Sequence, residues 1–519
     1  MSLSLSEAMV SAASLAIAGE KEAALEKLSQ AIDAGYQSPK LSSAIGHLQF
    51  DLRHFGAAAR AYEEALHLDR DDGGTHYNHA VCLEKLGAWG DAAAAFQKAI
   101  DLDSRRASAH LGLGIAHLHL NRPQEALAAF EKCLERQPFR EVALRGQAVA
   151  LHRLQRYPEA SECYRRLLSR DPRSEELLFN AISLAIGAGD YEMLTHYSQR
   201  LLEIQPKSAV ALEGAALAAF ARRDFDGAFR FCASLVEAHP SHFAGWFNCG
   251  IALQKLTLYE RAAEAYEHAA ALDPQSAEAF LSLGTVLHEI DRREAAREAY
   301  ERALALDPNL RTALWNLALL CEARKEFQLA ESLYMRMVER YPDAQDAWFR
   351  LGYVRLERGD LPASIDAFQA CLALPKKYPE ALLNIGVAHW KMRNVELAKE
   401  TFRQALASSK STNALRYLAA VALEQQEYEQ ALTLHKQLLE LEKPTSDLLY
   451  NVALLLQKRG KAADAVRYYR QALTLRADFP QALLNLGHAL ITLGKHEEAR
   501  TAWQTALRGN VQLAEQFLV

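Results

Sequence analysis

The sequence predicts an all-α chain, a solenoid of tandem helix-turn-helix repeats, on three observations. A unit of 34 residues recurs from one end of the chain to the other. Within each unit, apolar residues return at helical spacing in two short runs joined by a turn. A small residue stands at one fixed place in each run, and proline commonly closes the second. Such a period means stacked units that share one continuous core, so the 519 residues are not read as several globular domains.

The stretch from Trp246 to Pro274, WFNCGIALQKLTLYERAAEAYEHAAALDP, shows the parts. Gly250 lies mid-way along the first predicted helix. Ala262 comes early in the second, Tyr266 and Ala269 follow at helical spacing, and Pro274 ends it. The same parts return 34 residues later as Gly284, Ala296, Tyr300, Ala303 and Pro308. Anchored on the small residue of the second helix, the chain counts fifteen units, from Ala24 and Ala58 to Ala465 and Ala499. Leu194 and Ser364 are the two anchors that are not alanine. Every step is 34 residues except Ala398 to Ala431, which is 33. The array is therefore expected to fill residues 1–510.

Each recurring residue has a physical task. The small residue of the first helix is glycine at 46, 114, 250, 284, 352, 386 and 487, because the two helices of a unit are expected to cross closely there. Four residues after the anchor comes an aromatic that fills the space between neighbouring units, among them Tyr62, Phe130, Tyr266, Phe402 and Trp503. Proline at 138, 172, 206, 240, 274, 308 and 342 stops the second helix, since it cannot continue one. No unit buries its apolar face alone, so stability is a sum over neighbouring interfaces.

Three departures stand out. The sixth unit has Ile182, Leu194 and Ser198 in place of the small, small and aromatic residues, which makes 177–200 a candidate soft point. The single 33-residue step falls on SSKST at 408–412, read as a polar connector and a second soft point. Residues 511–519, VQLAEQFLV, begin a further helix and are expected to form a short cap or a truncated next helix.

Half the residues are apolar and 24% charged, which supports a continuous core and argues against global disorder. A net charge of −6 offers no positive field to collect phosphates, so no nucleic-acid partner is expected. No apolar run is long enough to span a bilayer, and the N-terminus lacks the basic start of a secretory signal. The seven cysteines form no CxxC pair, which fits a reducing, cytoplasmic setting.

These repeats resemble the tetratricopeptide repeat family over essentially residues 5–510. The resemblance implies a right-handed α-α superhelix whose first helices line a concave groove and whose second helices face outward. It also implies binding of a peptide or protein segment in that groove and no catalysis. Two residues before the small residue of the first helix, at a place expected to point into the groove, asparagine stands in seven units: Asn78, Asn180, Asn248, Asn316, Asn384, Asn451 and Asn485. An asparagine side chain carries both an acceptor and a donor, so a row of them suits a peptide backbone of any sequence. The row is similar to the asparagine ladder in the repeat region of the protein O-GlcNAc transferases, with no glycosyltransferase domain following here. One residue earlier stand Tyr77, Phe179, Phe247, Trp315, Phe349 and Tyr450, candidate apolar contacts for the same partner.

No phosphate-cradling loop, nucleophile elbow or zinc-protease motif occurs, so the chain reads as a non-enzyme without cofactor or metal. His76 and His79 are three apart on one helix, but nothing completes a ligand set with them or with His110, His117 and His119. The expected function is a scaffold that holds a partner protein segment through the asparagines and aromatics. Alternative readings are a structural component that self-assembles through its terminal repeats, and a substrate adaptor for a separate enzyme such as a glycosyltransferase.

Overall fold

The structure, a computed structural model, describes residues 4–138, 140–409 and 411–508. Those residues form thirty helices and no strand. The helices come in pairs, giving fifteen hairpins from Leu5–Ile17 with Lys21–Asp33 to Pro480–Thr492 with His496–Leu507. The chain divides into two compact units, Met1–Leu272 and Asp273–Val519. The first contains hairpins one to eight and the second hairpins nine to fifteen. The all-α solenoid expected from the period is the observed fold.

Every hairpin turns on one residue in the left-handed region. The series runs from Gly19 and Arg53 through Thr257 to Gly460 and Gly494, at the same spacing as the repeat. At Thr257 the backbone N–H donates to the Gln254 carbonyl, and the Leu258 N–H reaches back to the Leu253 carbonyl at 2.9 Å. This pairing satisfies carbonyls that the end of a helix would otherwise leave open, and it turns the chain into the second helix. Nine of these turns use a residue other than glycine, so the conformation is imposed by the hairpin rather than chosen by the residue.

The aromatic that most second helices carry explains the glycines. A Cβ added at Gly114 would lie 2.6 Å from the ring of Phe130, in the second helix of the same hairpin. One added at Gly146, in the next first helix, would lie 2.3 Å from that same ring. Phe130 is thus seated between consecutive first helices, in room that only glycine leaves. Tyr266 on Gly250 and Phe402 on Gly386 repeat the contact at 2.5 and 2.4 Å. These rings are fully buried, and each contributes on the order of 2 kcal/mol by leaving water.

The sixth hairpin is closed in another way. Ser198 and Ile182 are fully buried and Leu194 nearly so, and the helix Ala209–Ala221 approaches them through Gly214, where a Cβ would meet Ser198 Oγ at 2.5 Å. In place of the missing aromatic, Gly214 brings the next helix close to Ser198. At the 33-residue step one helix ends and the next begins within 408–412. Ser408 and Ser409 belong to Val395–Ser409, and their hydroxyls donate to the Ala405 carbonyl. With no proline to stop it, the helix runs on to Ser409. The next helix starts at Thr412. Residues 511–519, expected to start a cap, lie outside the described residues.

Candidate partner-binding face of the first helices

The seven asparagines sit half-buried on first helices, three in the first unit and four in the second. Their place is set by the buried rings: each stands sixteen residues after the aromatic position of the preceding hairpin, where Gly112 and Gly146 touch Phe96 and Phe130. An asparagine there lies beside the tip of the preceding side chain. Their hydrogen bonds divide the seven into two groups.

Three are committed to the protein itself. Asn316 Nδ2 donates to the Tyr300 hydroxyl at 3.3 Å. Burial pushes that phenol above its usual range, and hydrogen bonds with Thr285 and Asn316 work against the rise. Asn78 Nδ2 lies 3.1 Å from His47 Nε2, while His47 Nδ1 is bonded to the Ser43 carbonyl. Asn485 Nδ2 donates to the Tyr450 hydroxyl at 2.9 Å, joining two of the residues expected at the site. The other four, Asn180, Asn248, Asn384 and Asn451, have no hydrogen-bond partner among the described residues. They keep a free donor and a free acceptor.

The aromatics one residue earlier serve first as packing. Tyr77, Phe247, Trp315, Phe349 and Tyr450 are half-buried, and each meets the aromatic of its own hairpin with ring centroids 5.6 to 5.9 Å apart. Phe349 also stacks on Tyr378, Tyr450 contacts Phe479, and Arg106 lies over Tyr77. Phe179 differs. Its hairpin has Ser198 where the partner ring should be, and Phe179 is left 46% exposed. It is therefore the one member of the row with most of a ring face to offer.

Acceptors on the same face complete the picture. The phenols of Tyr266, Tyr334 and Tyr469 donate to Gln254, Glu322 and Gln457, which stand one turn beyond the small residue of each first helix. Burial, with the Glu322 carboxylate next, holds the Tyr334 phenol protonated. Sequence reasoning missed these acceptors, although a Gln or Glu twelve residues before a buried tyrosine is a legible signal. The Glu322 carboxylate also accepts from Arg350 at 2.8 Å, tying two first helices together.

Three of the histidines have structural partners. His76 and His110 bond through Nε2 to the carbonyls of Arg70 and Ser104, and His119 stacks on Trp89 at 3.7 Å. Burial lowers the pKa of His79 and His117. Among the described residues no three His, Cys, Asp or Glu side chains gather as metal ligands, and no helix is long and apolar enough to cross a membrane.

Comparison with known proteins places this face in context. The chain is 27% identical over 163 residues to protein FlbA of Caulobacter vibrioides, a match covering 31% of this chain and 27% of that protein. It is 36% identical over 91 residues to the photosystem I assembly protein Ycf3 of Cyanophora paradoxa, covering 17% of this chain and 48% of that one. The chain thus spans about a quarter and about half of the lengths of these relatives. Among solved structures, Naa15/Naa10 bound to HypK-THB aligns over 92% of this chain and 80% of that one, at 16% identity and a TM-score of 0.38. The tetratricopeptide repeat family matches at residues 43–107, 83–141, 250–310, 289–344, 327–380, 383–441 and 450–514, more than half of the sequence. Proteins built from these repeats bind protein partners. With that coverage and the hairpin geometry above, the chain belongs to the tetratricopeptide repeat family.

Proposed function

We propose that the chain is a non-catalytic scaffold that holds an extended segment of a partner protein against its first helices. The observation that carries this reading is the division among the asparagines. Asn180, Asn248, Asn384 and Asn451 retain both hydrogen-bonding groups on an accessible face, beside apolar side chains that include the exposed Phe179. A backbone amide needs one donor and one acceptor from its host, and each free carboxamide supplies both. Every such bond contributes about 0.5–1.5 kcal/mol net, so affinity is the sum of several weak contacts within one unit or the other. The seven buried, unpaired thiols support a reducing, cytoplasmic setting.

The test uses peptides selected from a random display library on the wild-type chain. Their Kd is then measured against the variant carrying Asn180→Ala, Asn248→Ala, Asn384→Ala and Asn451→Ala together. A peptide that engages the two rungs of one unit should lose roughly fivefold to a hundredfold in affinity. Asn78→Ala, which removes an amide already held by His47, should leave affinity unchanged. Equal binding by the fourfold variant, with helicity intact, would remove the asparagines from the site.

A further inference from the structure

In the second unit, six of seven hairpins place a large ring at the buried position of the second helix: Tyr300, Tyr334, Phe368, Phe402, Tyr469 and Trp503. The exception is His435, in the helix Tyr428–Leu441. Its ring borders a cleft of about 410 Å³ against the first helices Thr412–Glu424 and Ser446–Lys458. Ala420, Leu423, Leu438 and Leu448 form apolar walls, and Asn451, one of the uncommitted asparagines, lines the same cleft.

Arg416, His435, Thr445, Asp447 and Asn451 bring polar groups to this cleft, and most are engaged; the Thr445 hydroxyl accepts from the Leu448 N–H. Arg416 is held by Glu442 at 2.5 Å, and Asp447 by Arg476 at 2.9 Å, so the rim offers no net charge. His435 is only 6% exposed, and its Nδ1 donates to the Ala431 carbonyl at 2.8 Å. A ring that donates from Nδ1 presents Nε2 as an acceptor in its neutral form. That nitrogen has no partner among the described residues. Burial lowers the pKa of this imidazole, which keeps Nε2 available as an acceptor.

We infer that this cleft receives a tyrosine side chain of the partner segment, its ring against the leucines and its hydroxyl donating to His435 Nε2 while accepting from Asn451 Nδ2. The inference rests on the scaffold reading above and names the side chain the scaffold selects. Three observations favour a phenol over other occupants. Ala420, Leu423, Leu438 and Leu448 offer apolar contact, the charged rim is neutral, and the unmet groups on the lining are one acceptor and one free donor. The chain uses the same solution internally: Tyr469 in the next hairpin buries its ring and donates its hydroxyl to Gln457 at 2.8 Å. At His435 the ring is missing from the chain and is supplied from outside.

The experiment follows leucine methyl signals of the full chain by NMR during titration with 4-methylphenol. The signals of Leu438 and Leu448 should shift to saturation, with a Kd on the order of 1 mM. 4-Methylanisole, which cannot donate, should bind about three- to tenfold more weakly, and toluene likewise. His435→Tyr fills the cleft with the ring that other hairpins carry and should abolish the shifts without lowering the thermal midpoint. Asn451→Ala, which keeps the cleft open, should weaken the phenol about three- to tenfold. No saturable shift at Leu438 and Leu448, equal response to all three probes, or an unchanged titration of His435→Tyr would each overturn the inference. A chain that ignores 4-methylphenol yet binds selected peptides through its asparagines defeats this inference alone. One that binds the phenol while the asparagine variant keeps full peptide affinity defeats the backbone reading alone.

Discussion

Thr257 is a β-branched residue held at φ 60° in a hairpin turn where several other hairpins use glycine. A left-handed conformation costs a non-glycine residue about 1–2 kcal/mol, and glycine almost nothing. Thr257→Gly should therefore raise stability by about 1 kcal/mol, read as an increase in the denaturation midpoint; an unchanged or lower midpoint would show that the turn is not strained. Glycines inside helices separate into two kinds. Gly90, in Trp89–Leu102, has open space where a Cβ would go, so Gly90→Ala should stabilise by about 0.5–1 kcal/mol. At Gly250 the same atom would press into Tyr266, so Gly250→Ala should destabilise by about 1–3 kcal/mol. Equal effects at the two sites would refute the view that the rings set the glycines. The thiols behave as core residues. Burial pushes Cys82, Cys163, Cys321 and Cys371 up to about 11, and all seven are buried. Since the thiolate is the reactive form, a native chain at pH 8 should show almost no reaction with a thiol reagent, and seven equivalents once unfolded. Rapid labelling of the native chain would contradict the packing.

At the scale of the helix pair, hairpins are joined by apolar rings and in places by enclosed ion pairs. Glu331, in Phe327–Arg340, is 9% exposed and accepts from both Arg355 and Arg358 of the next first helix. Removing the carboxylate leaves Arg355 enclosed without its counter-charge, whereas removing both partners does not. A double-mutant cycle of Glu331→Leu and Arg355→Met should return a coupling of about 1–3 kcal/mol, and strict additivity would show that the pair adds no linkage. The same element-level contacts decide which side chains of the candidate face are free. Asn316 and Asn180 occupy equivalent places in their helices, but only Asn316 meets the hydroxyl of a preceding tyrosine. Phe179 and Phe247 are likewise equivalent in sequence. Phe247 is covered by Tyr266, whereas Ser198 leaves Phe179 open.

For the whole molecule, stability follows from neighbouring hairpins, each interface adding its own share. The division at Leu272 and Asp273 separates two runs that each possess buried cores of their own. Residues 1–272 and 273–519, expressed separately, should both keep their helical circular dichroism and unfold cooperatively; loss of structure in either would mean its core depends on the other. The period, the two helices per unit, the buried ring and the proline stops were all legible in the residues, because each is a local demand that recurs along the array. At the polar connector read at 408–412, what the residues did not show was that the preceding helix runs on through Ser408 and Ser409, whose hydroxyls bond back to the Ala405 carbonyl.

What the sequence determined by itself is the solenoid. Its 34-residue rhythm dictates which side chains must be buried, and any stack that obeys it has the same core. The tertiary structure alone decided which side chains of the candidate face are available. Whether an asparagine is spent on Tyr300, on Tyr450 or on nothing depends on where the neighbouring hydroxyl lies, and that distance is not encoded in the repeat. A histidine at position 435 reads as one more variation in the pattern until its neighbours show the cleft it borders. The fold is a property of the period, and the site is a property of its exceptions.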